Sequence, residues 1–205
     1  MNNNESNTLM NIHKAGKAEF LEKGFQGASL RQIVKNAGVT TGAFYGYYPG
    51  KAQLFDALVA KNAKELATIY CKLPSDISNI STENVHETII DLLMDGTYSL
   101  LDYIYKYKDE FILIASCSSG TEYANYIDLL SELKMQVLNN YIDHLNSGGQ
   151  IIDKTDLKFE KIMITGMLAA VFKLLTMGIS YEAALEDTKK LYRFYKTGWG
   201  MIEKE

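Results

Sequence analysis

Three short helical patterns joined by tight turns fill residues 12–55, and a lysine opens a fourth. Leu9, Ile12, Gly16 and Phe20 share one face at helical spacing, and Gly24 suits the position just past a helix end. Ser29 followed by Gln32 fits a capping box, which predicts a second helix starting there. Ile33 and Ala37 continue its inward face, while Arg31 and Lys35 point elsewhere. Gly38 supplies the left-handed backbone that a three-residue turn between crossed helices needs. Val39 fills the corner, and Thr40 is placed to cap a third helix in which Phe44 faces inward. Thr40, Thr41, Ala43 and Tyr45 then face out, and Pro49-Gly50 ends the segment before Lys51. The middle of this stretch is a helix–turn–helix, the unit that presents its second helix to the major groove of DNA.

Charge supports that reading. The formal net charge is −4, yet residues 1–62 hold seven Lys/Arg against four acids, so this end is +3 and the remainder −7. A basic module on an acidic body is the polarity expected when one end meets phosphate. Lys51 sits where a helix dipole disfavours a cation, a placement that makes sense if a phosphate binds there. Thr40, Thr41 and Ala43 can offer methyl groups to thymine, and the threonine hydroxyls can bond base edges or phosphate. Tyr45 and Tyr47 can reach phosphates, with Lys51 and Arg31 supplying charge; Ser29 and Gly42 complete the expected DNA-facing set. No Arg or Lys lies between Thr40 and Tyr48, so bidentate guanine contacts are not expected and the target leans towards A·T.

The series Ala15, Phe20, Gly24, Ser29, Ile33, Ala37-Gly38-Val39, Gly42, Phe44-Tyr45, Tyr48, Lys51 and Leu54 resembles the N-terminal signature of the tetracycline-repressor (TetR/AcrR) family of bacterial transcriptional regulators. It covers about a quarter of the chain. Val34, Gly46 and Gly50 depart from the residues usual at their positions. The resemblance implies an all-α fold of about nine helices, with a DNA-binding domain at 1–50 and an effector-binding and dimerisation domain at 51–205. It also implies that Tyr48 is a core aromatic and that the last two helices pair with their copies. The interface residues expected on that basis are Phe159, Ile162, Met163, Gly166, Ala170, Thr188, Leu191, Tyr195, Trp199 and Ile202. Partners would be pseudo-palindromic double-stranded operator DNA, a second copy of the chain, and a small organic effector whose binding releases a repressor.

The rest of the chain is ordinary for a globular protein, at 47% hydrophobic and 22% charged residues. Two prolines and no extended alternation of apolar and polar residues predict helices throughout. Residues 1–7 are polar and expected to be disordered. Helices are expected at about 51–71, from Ser81 or Thr82 to Tyr107 after a 73–81 linker, at 109–116, 122–146, 155–177 and 181–203. Tyr and Met enrich this region, so Met94, Tyr98, Tyr103, Cys117, Tyr123, Tyr126, Met135, Met163 and Met167 are candidates to line a pocket for a hydrophobic or aromatic effector. The same side chains at helical spacing also suit plain core. Cys71 and Cys117 suit reduced thiols in a cytoplasm. The stretch 162–179 is interrupted by Lys173, so no membrane span is expected. The alternative is a helical-bundle metal protein or enzyme, for which Glu83 and His86 have the spacing of one Glu-x-x-His ligand pair. His13 and His144 lack a glutamate three residues before them, so no metal, cofactor or catalytic residue is expected.

Overall fold

The computed structural model of the chain describes residues 3–72, 85–148 and 157–202. Among the described residues the regular structure is entirely helical: α1 Asn3–Gly27, α2 Leu30–Ala37, α3 Thr41–Tyr45, α4 Lys51–Tyr70, α5 Val85–Lys106, α6 Lys108–Ile112, α7 Tyr126–Ser147, α8 Leu157–Thr176 and α9 Tyr181–Ile202. Nine α-helices match the expected number. The expected linker 73–81 and its Ser81/Thr82 cap lie outside the described residues.

Two expectations about boundaries are corrected. Of residues 1–7, expected to be disordered, 3–7 lie in α1, which starts at Asn3 and runs in helical register into the Ile12 face, and 1–2 lie outside the described residues. The expected helix at 109–116 is α6 followed by a single π-helical turn, Leu113–Cys117, whose wider winding leaves no period in the sequence. The compact units also part at a different place from 50/51. One unit is Met1–Lys64 with Tyr107–Tyr126, and the other is Glu65–Lys106 with Ile127–Glu205. The first is the head and the second the body.

The head is built on aromatic packing. Phe20, Phe44, Leu54 and Phe55 are fully buried, and the rings of Phe20 and Phe55 meet edge to face with centroids 5.1 Å apart. α1 breaks at Gly24, whose φ of 67° and ψ of 167° lie in a region that only glycine occupies freely, and a last turn carries the chain to Gly27. The π-turn packs on α1, and the segment after α6 is tied to α4. There the Tyr123 hydroxyl donates to Asp56 at 2.5 Å and the Tyr126 hydroxyl to the Ala63 carbonyl at 2.6 Å. Lys17 of α1 bonds Glu110 of α6 at 2.6 Å, with Asp109 at 3.8 Å.

In the body, α5, α8 and α9 pack together. Leu100, Leu101, Ile104, Leu168, Val171, Leu175 and Ala184 form its interior. At the rim Tyr181 donates to Asp102 at 2.6 Å, while Tyr192 and Lys196 both bond Asp91. Cys71 and Cys117 are free thiols, each pushed up in pKa chiefly by burial. None of the helices, among the described residues, is long and apolar enough to cross a membrane.

Candidate nucleic-acid interface

α2 begins at Leu30 with Ser29 in extended backbone as its cap, the Ser29 hydroxyl accepting from the Gln32 N–H at 3.4 Å. The other half of the expected capping box is not formed. Gln32 turns instead to Asn36, and the Ser29 N–H donates to the buried carboxylate of Glu19 at 3.0 Å. Gly38 takes φ 68° and ψ 28°, the left-handed conformation the turn demands, and its N–H closes onto the Lys35 carbonyl at 3.2 Å. Thr40 then caps α3, accepting from the Ala43 N–H at 3.1 Å. Ile33, Val34 and Ala37 of α2 and Phe44 of α3 point into the head.

The outward face of α3 is therefore bare. Thr40, Thr41, Gly42, Ala43 and Tyr45 are all exposed, Tyr45 at 53% with its ring edge-on to Phe44. Arg31 and Lys35 of α2, also exposed, line a groove with Ser29, Gln32, Val34 and Thr41. Lys35 and Gln32 are additions to the expected set of site residues. Their signal is present in the sequence, since Arg31 and Lys35 are four apart and must share a helix face. Two cations, hydroxyls and methyl groups on one surface can meet phosphate and thymine together.

Lys51 is placed otherwise than expected. Its ammonium donates to the carbonyls of Phe25 at 2.7 Å, Ala28 at 3.1 Å and Gln26 at 3.2 Å, and lies 4.8 Å from the centre of the Phe25 ring. Three donors meet three acceptors, so the charge is committed to the carbonyl-rich end of α1. It ties the start of α4 to the chain at the end of α1. Tyr47 is half-buried and directs its hydroxyl at the Glu5 carbonyl, 3.4 Å away, a long bond that phosphate can displace. Tyr48 supports the corner from inside: its ring meets Phe44, and its hydroxyl shares a hydrogen bond of 2.5 Å with His13 Nε2. Burial, with Lys17 nearby, pushes the His13 imidazole below its ordinary pKa of 6.5.

Residues 12–58 match the family model described as bacterial regulatory proteins, tetR family. The chain is 34% identical over 90 residues to the probable HTH-type transcriptional regulator YttP of Bacillus subtilis, covering 43% of this chain and 40% of that protein. It is 29% identical over 100 residues to the TetC protein of transposon Tn10 from Escherichia coli, covering 48% and 50%. Residues 12–58 are thus similar to the DNA-binding region of the tetR family. The chain spans half or less of the length of these two relatives in the aligned regions. The crystal structure of a TerR/AcrR-family regulator from Aquifex aeolicus superposes with a TM-score of 0.58 at 21% identity, over 93% of this chain and 98% of that one. Identity that low carries the all-helical fold alone.

The pocket candidates divide between the two compact units. Cys117, Tyr123 and Tyr126 belong to the head, and the two tyrosine hydroxyls are held by Asp56 and Ala63 as anchors of that unit. Tyr103, Met135 and Met167 are buried in the body, Tyr98 and Met163 are half-buried there, and the Met94 side chain lies outside the described residues. Met167 accepts a bond from the Thr97 hydroxyl at 3.5 Å. Among the expected interface residues, Ile162 is 66% exposed, Gly166 is exposed, and Phe159, Met163, Ala170, Leu191 and Tyr195 are half-buried. Thr188 is the exception. At 1% exposure it is interior to the body and has no outward surface to offer a second copy. Phe194, 71% exposed on α9, escapes a reading by periodicity because it lies off the apolar stripe. The side chains of Trp199, Ile202, Glu83 and His86 lie outside the described residues.

Proposed function

We propose that this protein is a DNA-binding transcriptional regulator, acting in the cytoplasm as a homodimeric repressor that a small organic effector releases from a pseudo-palindromic operator. One observation carries the reading: the face of α3 from Thr40 to Tyr45 is bare while every element behind it is braced by buried aromatics, a hydroxyl cap and a lysine clamp. A five-residue helix exposing threonines gains nothing for stability, so its support serves presentation. Contact falls to Thr40, Thr41, Gly42, Ala43 and Tyr45 at bases and nearby backbone, with Arg31, Lys35 and Tyr47 on phosphates. Ser29 shapes the groove. Lys51 holds the unit's form.

Two copies are needed because one five-residue helix reads too few base pairs, and a palindromic site engages two heads about 34–36 Å apart. Ile162, Met163 and Ala170 of α8 and Leu191, Phe194 and Tyr195 of α9 supply the apolar surface for a second copy. An effector shifts the population off DNA only if it prefers the form whose heads are misplaced. α4 contributes residues to both compact units and is the proposed lever. The reading is tested by footprinting the protein on the region upstream of its own gene, with and without apolar organic compounds. A protected pseudo-palindrome lost on adding a compound supports it; no protection at low salt overturns it.

A further inference from the structure

Lys134 of α7 is the only lysine or arginine buried among the described residues, at 2% exposure. Its ammonium donates to the Tyr70 carbonyl at 2.9 Å and lies 4.8 Å from the centre of the Tyr70 ring. That bond uses one of three N–H groups, and among the described residues no carboxylate pairs with it. Burial pushes its pKa down, with only the Cys71 thiol acting in the other direction. The backbone at Gly96 passes close by: a methyl group there would stand 3.1 Å from the ammonium nitrogen.

The same unit holds further polar atoms without partners. The Tyr141 hydroxyl and Asn139 Oδ1 on α7, and the Thr188 hydroxyl on α9, are buried with no hydrogen bond. Tyr141 follows Lys134 by seven positions, two turns or about 10 Å along the same side of the helix. Leu138 between them and Met135 beside them are buried, as are Leu100, Leu168 and Ile142 elsewhere in the unit. Protein interiors pair nearly all their buried polar groups, and an ammonium lacking a counter-charge is the costliest exception.

We propose that the body binds an amphipathic organic monoanion, its carboxylate seated on Lys134, its apolar part among the Leu and Met side chains, and a second polar group within reach of Tyr141. A carboxylate fits better than a phosphate ester because one ammonium balances one negative charge, and a second charge would enter the low-dielectric interior unpaired. That this ligand is the effector rests on the regulator reading above; that it binds does not.

The test uses the full-length protein with hexanoate, decanoate and 4-phenylbutyrate, each beside the alcohol of the same skeleton, in calorimetric titration and thermal shift. At least one acid is expected to bind about tenfold or more tighter than its alcohol, the difference vanishing in Lys134→Met and shrinking in Tyr141→Phe. Lys134→Gln, which keeps a polar tip, guards against a packing effect, and circular dichroism checks that each variant folds. Equal binding of acids and alcohols, no binding of either, or unchanged acid affinity in a folded Lys134→Met protein overturns the proposal. Gel shift on upstream DNA runs in parallel. DNA binding without acid preference sinks this site and spares the regulator; acid binding through Lys134 without DNA binding does the reverse.

Discussion

The head and the body handle buried polarity in opposite ways. In the head, Glu19 receives the Ser29 N–H, Lys51 finds three carbonyls, Tyr126 finds Ala63 and His13 finds Tyr48. In the body, the buried polar atoms of Asn139, Tyr141 and Thr188 find nothing, and Lys134 finds one carbonyl for three donors. A unit whose buried polar side chains, among the described residues, all find partners has one low-energy shape, which suits a surface that must fit a duplex. Unpaired interior groups keep a unit responsive to whatever satisfies them.

Substituting the two inward-turned lysines by methionine breaks this contrast most sharply. Lys51→Met strands three carbonyls at the end of α1 and should lower stability by about 2 kcal/mol in urea unfolding, at least. If Lys51 is a clamp, the salt dependence of DNA binding keeps its slope in this variant; if Lys51 instead neutralised a phosphate, the slope would fall by about one unit. Lys134→Met strands only the Tyr70 carbonyl and removes a charge with no counter-ion among the described residues, so the two effects offset and stability should change by less than about 1 kcal/mol. A loss as large as that of Lys51→Met would erase the distinction between the units.

The lysines also mark how far the sequence can be followed. The turn at Gly38, the Thr40 cap and the inward Phe44 are legible because each depends on residues within a few positions. Lys51 is not. Its local setting at a helix start points to phosphate, whereas its partners lie 23 to 26 residues earlier. Glu19 is hidden for the same reason, since Ser29 and Gln32 spell a capping box whose second arm comes from another helix. Tyr123 and Tyr126 read as pocket walls because their hydroxyl acceptors are 67 and 63 residues away. For Thr188, periodicity finds the apolar stripe of α9 but does not say that this part of it is consumed by the body's own core. The helices themselves are legible to within a few residues, except where α1 begins early and the π-turn follows α6.

Two smaller effects sharpen the comparison. Thr188→Val keeps the shape and removes a buried hydroxyl that has no partner, so thermal melting should show a gain of about 1 kcal/mol. The smallest effect is at His13, whose folded pKa lies below its unfolded value near 6.5. The unfolded chain then binds the proton more tightly, so stability is full above that pH and declines as pH falls below it, levelling beneath the folded pKa. Melting curves across this window should show the decline in the native protein and not in His13→Gln.

The bare face of α3 is the proposed contact with DNA. Fluorescence anisotropy on a labelled duplex from the upstream region, comparing the native protein with a Thr41→Ala, Tyr45→Ala double variant, tests it directly. Both side chains are exposed, so melting should be unchanged while Kd rises about tenfold or more. A double variant that folds normally and binds the duplex with native affinity would contradict the assignment of this face to DNA.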